Sequence, residues 1–164
     1  RMEGLTTIAR TKDDRCFEII EETFRNHEVP QMRAHAARLL AEYPAKMCEP
    51  VLLSAVNAED FEEKPDGERR ALIGALAKVE SDKARGFVRA IFAEKSGLLR
   101  GRKVDDRKLM AISALQAAPG LPALQLLVEV AKDEKQHSKE VLEAAVAAAH
   151  EVKRRISGPG GAPL

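Results

Sequence analysis

The residues best equipped for chemistry are few in this sequence, and their spacing argues against most of the chemistry they could do. Four histidines, His27, His35, His137 and His150, would be the natural zinc ligands. None stands at a ligand spacing from a cysteine, an acid or another histidine, so each reads as a surface or helix-end residue. Cys16 and Cys48 are the only cysteines, too few for a disulfide scaffold and better suited to filling core space as small apolar groups. Neighbouring acids occur at Glu21-Glu22, Glu62-Glu63 and Asp105-Asp106. Adjacent positions on a helix point about 100° apart, so these carboxylates do not converge on one proton. There is no G-x-S-x-G elbow, and the one glycine-rich stretch, GPGGAP, lies in the tail with no strand before it and no helix after it. The residues therefore predict no catalytic group, no metal and no cofactor.

Charge is the next resource. Lys and Arg number 27 against 26 Asp and Glu, a formal net charge of +1, which excludes bulk attraction to nucleic acid or an anionic membrane. The distribution is uneven. Residues 59–68 (EDFEEKPDGE) hold six acids and one lysine, and residues 95–108 (KSGLLRGRKVDDRK) hold six bases and two acids. The first run suggests an acidic loop presenting Glu59, Asp60, Glu62 and Glu63. The second suggests a basic finger of Arg100, Arg102, Lys103 and Arg107, available to an acidic partner or to phosphates. The connection from Ser96 to Val104 is longer than a turn requires, and Leu98 and Leu99 within it need cover.

Helices must position these groups. The chain of 164 residues is 45% hydrophobic and 32% charged, with 26 alanines, one tyrosine, five phenylalanines and no tryptophan. That composition suits closely packed helices rather than a sheet. Apolar residues recur every three or four positions, and breakers divide the chain into about eight helices. Their expected spans are 13–26, 31–43, 45–57, 68–79, 82–95, 105–118, 121–133 and 138–156. Pro30 suits a first helical position, Pro50 should delay or kink the third helix, and Ser81 or Asp82 caps the fifth. Residues 1–12 read as a lead-in and 158–164 (GPGGAPL) as a Gly/Pro linker or tail. No apolar run reaches the length of a membrane span, and nothing in the N-terminal residues predicts export.

The second helices of successive pairs repeat one another. RAHAARLLAEY (33–43), RRALIGALAKV (69–79), KLMAISALQAA (108–118) and VLEAAVAAAHE (141–151) align with Leu40, Leu76, Leu115 and Ala148 in one column. Leu39, Ala75, Ala114 and Ala147 form another, and the units are 36, 39 and 33 residues apart. Two-helix units of this length signal an α-solenoid, whose repeats bury their apolar faces by stacking. With Arg33, Arg69 and Lys108 opening three of these helices, and with Asp66-x-x-Arg69 and Asp105-x-x-Lys108 before two of them, the chain resembles the HEAT-repeat family, including its short bacterial members. The resemblance covers about residues 13–156. It departs at the first repeat, which lacks the aspartate, and at the fourth, where Val141 replaces the base.

The resemblance implies an all-α, right-handed solenoid of about four helix pairs (13–43, 45–79, 82–118 and 121–156), with the second helices on the concave side. Counting 100° per residue, the stripe facing away from the buried arc reads His35, Arg38, Glu42; Ala71, Gly74, Lys78; Met110, Ser113, Ala117; Glu143, Val146, His150. Its middle is small and apolar and its ends are polar. The expected groove therefore comprises Arg38, Ala71, Gly74, Lys78, Met110, Ser113, Ala117 and Val146, fitted to an amphipathic helix or extended peptide. The leading expectation is a non-enzymatic protein–protein interaction module, part of a larger cytoplasmic scaffold or regulatory protein, with self-association open. The alternative is a nucleic-acid-binding solenoid, since some HEAT-like proteins cradle DNA. The uncharged middle of the stripe and the absence of tryptophan disfavour it. A third reading, kinship with bacterial HEAT-like chromophore-attachment proteins, rests on fold alone.

Overall fold

A computed structural model describes residues 2–11, 13–95, 101–117 and 119–158. The described residues form nine α-helices and one short 3-10 turn, with no strand among them. In chain order the helices are α1 (Met2–Arg10), α2 (Asp14–Asn26), α3 (Pro30–Leu40), α4 (Ala45–Val56), α5 (Asp66–Lys78), α6 (Asp82–Ala93), α7 (Gly101–Ala117), α8 (Leu121–Lys132) and α9 (Lys139–Ser157). The 3-10 turn, Phe61–Glu63, precedes α5. The chain divides into two compact units, Arg1–Arg85 and Gly86–Leu164. None of the described helices is long and apolar enough to cross a membrane.

Helix starts follow local chemistry. Asp13 Oδ1 accepts from the Arg15 amide at 2.8 Å at the start of α2. Pro30 occupies the first turn of α3, where its missing N–H costs nothing. The Ser81 hydroxyl accepts from the Ala84 amide at 3.0 Å to cap α6, and that of Ser138 accepts from the Val141 amide at 3.4 Å to cap α9. α4 starts at Ala45 and runs through Pro50 without a break.

In the N-terminal unit, α3 packs on both α2 and α5, and α4 packs on α5. Ile20, Leu40, Leu52, Leu72 and Leu76 lose all solvent exposure there. Each such side chain contributes about 1.5–3 kcal/mol of burial free energy. In the C-terminal unit, α9 packs on α7 and α8, around Val88, Leu115, Leu127, Val141 and Val152. Within each unit, therefore, α3 lies beside α5 and α7 lies beside α9. The column Leu40, Leu76, Leu115 and Ala148 is buried throughout. The second column is buried at Ala75 and Ala114, half-buried at Leu39 and exposed at Ala147.

The lead-in is not irregular. Residues 2–10 form α1, which lies against both α2 and α3 and buries Leu5 and Ala9. The expected start of the sixth helix at Asp105 also moves: α7 begins at Gly101, with Val104 buried as its first anchor. Most of the connection expected to be a loop over 96–104 thus splits, with 101–104 helical and Ser96, Gly97, Leu98, Leu99 and Arg100 outside the described residues. Of the expected tail, 159–164 is likewise outside them.

Candidate functional site

The outward stripe has different properties in the two units. In the N-terminal unit its apolar middle is closed while Arg38, Glu42 and Lys78 are exposed. Ala71 is 4% exposed and Gly74 is buried, because α5 is covered over every residue from Ala71 to Ala77. These two positions do not form an exposed apolar floor, which corrects the expectation for them. Around them, His35 Nε2 meets the Thr6 hydroxyl of α1 at 3.0 Å. Arg38 is exposed, and Lys78 reaches Glu42 at 3.4 Å.

In the C-terminal unit the stripe is open. Met110 and Ser113 on α7 are half-buried, and Ala117 is exposed. Beside them on α9, Glu143, Val146, Ala147 and His150 are exposed, with Val146 showing 43% of its surface. Glu143 approaches Lys139 at 3.6 Å. At the C-terminal end of α9, Glu151 accepts from both Arg154 and Arg155, and these hydrogen bonds push its carboxyl down to about 2. Arg155 also donates to the Gln116 carbonyl at 3.2 Å, tying α9 to α7.

The described parts of the two charged runs are ordered by local structure, the acidic run as a 3-10 turn and residues 101–108 as part of α7. Phe61 is buried and anchors the acidic run as a 3-10 turn. Asp60 binds Lys64 at 2.5 Å, which holds its carboxyl below the usual range. Glu62 binds Arg69 at 3.1 Å, while Glu59 and Glu63 are exposed. Of the basic finger, Arg102 and Lys103 are exposed in the first turn of α7. Arg107 grips the Glu94 carboxylate at 3.0 and 3.3 Å. Arg100 lies outside the described residues. The finger is thus a helical turn carrying two exposed bases, with its third engaged.

The repeated bases Arg33, Arg69 and Lys108 have sharper environments than their role as a register mark suggested. Arg33 donates to Glu68 through Nε at 3.0 Å and Nη2 at 2.8 Å, and through Nη1 to the carbonyls of His27 and Glu28. Glu68 is only 3% exposed, and its hydrogen bonds raise the Arg33 guanidinium above its ordinary pKa. Arg69 pairs with Asp66 at 2.7 Å, as the Asp-x-x-Arg spacing implied. Its Nε is buried without a partner.

Lys108 differs. It is fully buried, and its Nζ hydrogen bonds go to the Gln136 carbonyl at 3.3 Å and His137 Nδ1 at 3.2 Å. Both are uncharged acceptors. Burial lowers the Lys108 pKa, and the nearby carboxylates of Asp105, Glu94 and Asp133 oppose that shift. Burial and then the Lys108 charge lower that of His137, with Asp133 and Asp105 opposing. Gln136 Nε2 also donates to the Phe92 carbonyl at 3.1 Å, and the Phe92 and His137 rings meet edge to face, 6.4 Å apart.

This cluster borders a cleft of about 150 Å³ between α6 and α8, with apolar walls from Phe92, Ala93, Leu126 and Val130. Gln136 and His137 close one end, and Arg89, Glu129 and Asp133 supply charge. Arg89 Nη2 holds both Glu129 oxygens, at 3.0 and 3.3 Å. No sequence signal marks this site, because the contact of His137 with Lys108 spans 29 residues with no motif behind it.

Cys16 Sγ lies 2.8 Å from the Thr11 hydroxyl, and buried Cys48 donates to the Tyr43 carbonyl at 3.5 Å. Among the described residues no three His, Cys, Asp or Glu side chains gather into a metal-binding group. Comparison with known proteins finds no matching family model, curated protein or solved structure.

Proposed function

We propose that this chain is a non-enzymatic protein-interaction module, a HEAT-like solenoid segment that receives a partner's amphipathic helix on the face shared by α7 and α9. The observation that carries the reading is the open stripe of Met110, Ser113, Ala117, Val146 and Ala147 on two adjacent helices. A shallow apolar strip on a charged surface is the geometry that accepts helix anchors at i, i+3, i+4 and i+7. Its ends are net basic, with Asp106 and the Lys139–Glu143 pair offset by further bases. Arg102 and Lys103 are exposed at the α7 start and Lys153 near the α9 end. The partner helix accordingly carries acids flanking its apolar stripe. The side-by-side placement of α3 with α5 and of α7 with α9 supports the solenoid reading, as does the buried leucine column. A cytoplasmic setting within a larger bacterial scaffold or regulatory protein belongs to the same proposal, on the strength of the resemblance alone.

The test is selection from a displayed library of helical peptides against the wild-type chain, with recovered binders measured on Met110→Glu/Val146→Glu. The expected binders are amphipathic, acid-flanked helices whose affinity falls at least about tenfold on the double variant, roughly 1.4 kcal/mol. Val146 is exposed and Met110 half-buried, and an unchanged circular dichroism spectrum serves as the folding control. Failure to select such helices, or equal binding to the double variant, sinks the reading.

A further inference from the structure

Tyr43 carries a hydroxyl that nothing satisfies. The residue is 5% exposed, and its Oη is buried without a hydrogen-bond partner. A phenol normally finds a partner when buried, because an orphaned donor forfeits its hydrogen bonds to water. The Tyr43 ring meets the Phe17 ring edge to face at 5.2 Å, which sets it against the start of α2. Burial, then the charges of Cys16 and Asp13, raise its pKa, so the hydroxyl lies within reach of both side chains' fields. Asp13 directs Oδ1 to the Arg15 amide at 2.8 Å instead. Cys16, the third residue of α2, is half-buried, and its Sγ lies 2.8 Å from the Thr11 hydroxyl. That hydroxyl donates to the Ile8 carbonyl at 2.8 Å, which makes the thiol the donor towards Thr11. A thiol sulfur is only a weak acceptor, so the reduced residue leaves the phenol unsatisfied.

We infer that Cys16 is a peroxide-reactive modification site whose sulfenic acid is held between Tyr43 and Thr11. The Cys16 sulfur attacks one oxygen of a small hydroperoxide, ROOH. The S–O bond forms as the O–O bond breaks, and the sulfur loses two electrons to the peroxide. The departing RO⁻ takes the proton released by the thiol and leaves as ROH. The added oxygen accepts from the Tyr43 hydroxyl, and its own proton goes to Thr11 Oγ1 where the thiol proton stood. The N-terminal turn of α2 favours the partial negative charge on that oxygen. Cys48 offers no competing site, because it loses all solvent exposure and donates to the Tyr43 carbonyl. A sulfenic acid is returned to thiol by cellular reductants, so the modification is a switch in the N-terminal unit. It is separate from the α7–α9 face, and its test does not depend on that reading.

The experiment treats the full chain with hydrogen peroxide, removes the excess with catalase, and traps sulfenic acid in timed aliquots with dimedone for mass spectrometry. Tyr43 is the sole tyrosine and the chain has no tryptophan, so near-ultraviolet absorbance of the untrapped protein follows this hydroxyl alone. Expected are a dimedone adduct on Cys16 and a red shift of the tyrosine band that dithiothreitol reverses and Cys16→Ser lacks. In Tyr43→Phe the sulfenic acid should decay at least about tenfold faster, the effect of losing one hydrogen bond to the modified group. Thr11→Val provides a second variant should Tyr43→Phe fold poorly, and it should shorten the lifetime in the same direction. An adduct on Cys48 alone, an unreactive Cys16, or passage straight to sulfinic acid overturns the proposal. So does a tyrosine shift that persists in Cys16→Ser, or an equal lifetime in the wild type and Tyr43→Phe.

Discussion

A buried ion pair and a buried lysine in equivalent sequence positions make opposite demands on the fold. Arg33 and Glu68 satisfy each other through two parallel hydrogen bonds, and the arginine's remaining group goes to backbone carbonyls. Removing one partner strands the other. Arg33→Met leaves Glu68 charged at 3% exposure, and it should cost about 3–5 kcal/mol of unfolding free energy. Arg33→Met combined with Glu68→Leu should recover most of that loss, which denaturant unfolding of the three proteins would measure. His137 makes a pH prediction. Its folded pKa lies below the ordinary 6.5 because of burial and then Lys108, with Asp133 and Asp105 opposing. The unfolded chain therefore takes up a proton that the folded chain refuses. The stability tied to the neutral ring is present above pH 6.5 and is lost as pH falls through the folded value. Thermal midpoints should drop between pH 7 and pH 5, and His137→Gln, which keeps an acceptor for Lys108, should flatten that slope. An unchanged slope would mean that other groups govern the acid limb. At this scale the sequence exposed the bases but not their partners. Asp66 was legible because it lies three residues from Arg69, whereas Glu68 and His137 are brought in by tertiary packing.

At the scale of elements, periodicity and breakers located the helices well because the apolar faces, prolines and caps agree with one another. α1 escaped notice for a physical reason. Gly4, Thr6, Thr7 and Ile8 weaken intrinsic helicity and no cap precedes them. Burial of Leu5 and Ala9 against α2 and α3 decides the outcome instead. α7 starts a turn early because Val104 finds a buried position, which outweighs the unfavourable placement of Arg102 and Lys103 at a helix N-terminus. Helical angle says which residues share a face, while neighbouring helices decide whether the face is open. Gly74 shows the consequence. A guanidinium placed there has no solvent route, so Gly74→Arg should destabilise the N-terminal unit by more than about 3 kcal/mol. The same change at Ala117, exposed on α7, should fall within about 0.5 kcal/mol of neutral. Chemical denaturation of both variants tests the contrast, and near-wild-type stability of Gly74→Arg would place the open stripe in both units.

Across the whole molecule the charges nearly cancel, and pairing consumes much of what is uneven. Glu62 and Asp66 meet Arg69, Asp60 meets Lys64, Arg107 meets Glu94 and Arg89 meets Glu129. A duplex-binding solenoid needs the reverse arrangement, with many bases held unpaired along one continuous face so that each phosphate contact releases a counterion. Here the open stripe of α7 and α9 is apolar at its centre, with Arg102, Lys103 and Lys153 exposed towards its ends. Three such contacts give a salt slope of only about −3 in log K against log salt, several units shallower than for proteins making six to ten. The chain should therefore elute from a duplex-DNA column below physiological ionic strength. An acid-flanked helix bound to the same stripe should lose affinity more gently with salt, because apolar contact carries part of its free energy. Measuring both dependences on one preparation separates the two partner classes without knowledge of the natural ligand. DNA retention above 150 mM salt that Arg102→Glu/Lys103→Glu abolishes would move the function to nucleic acid, and it would do so through the exposed bases at the start of α7.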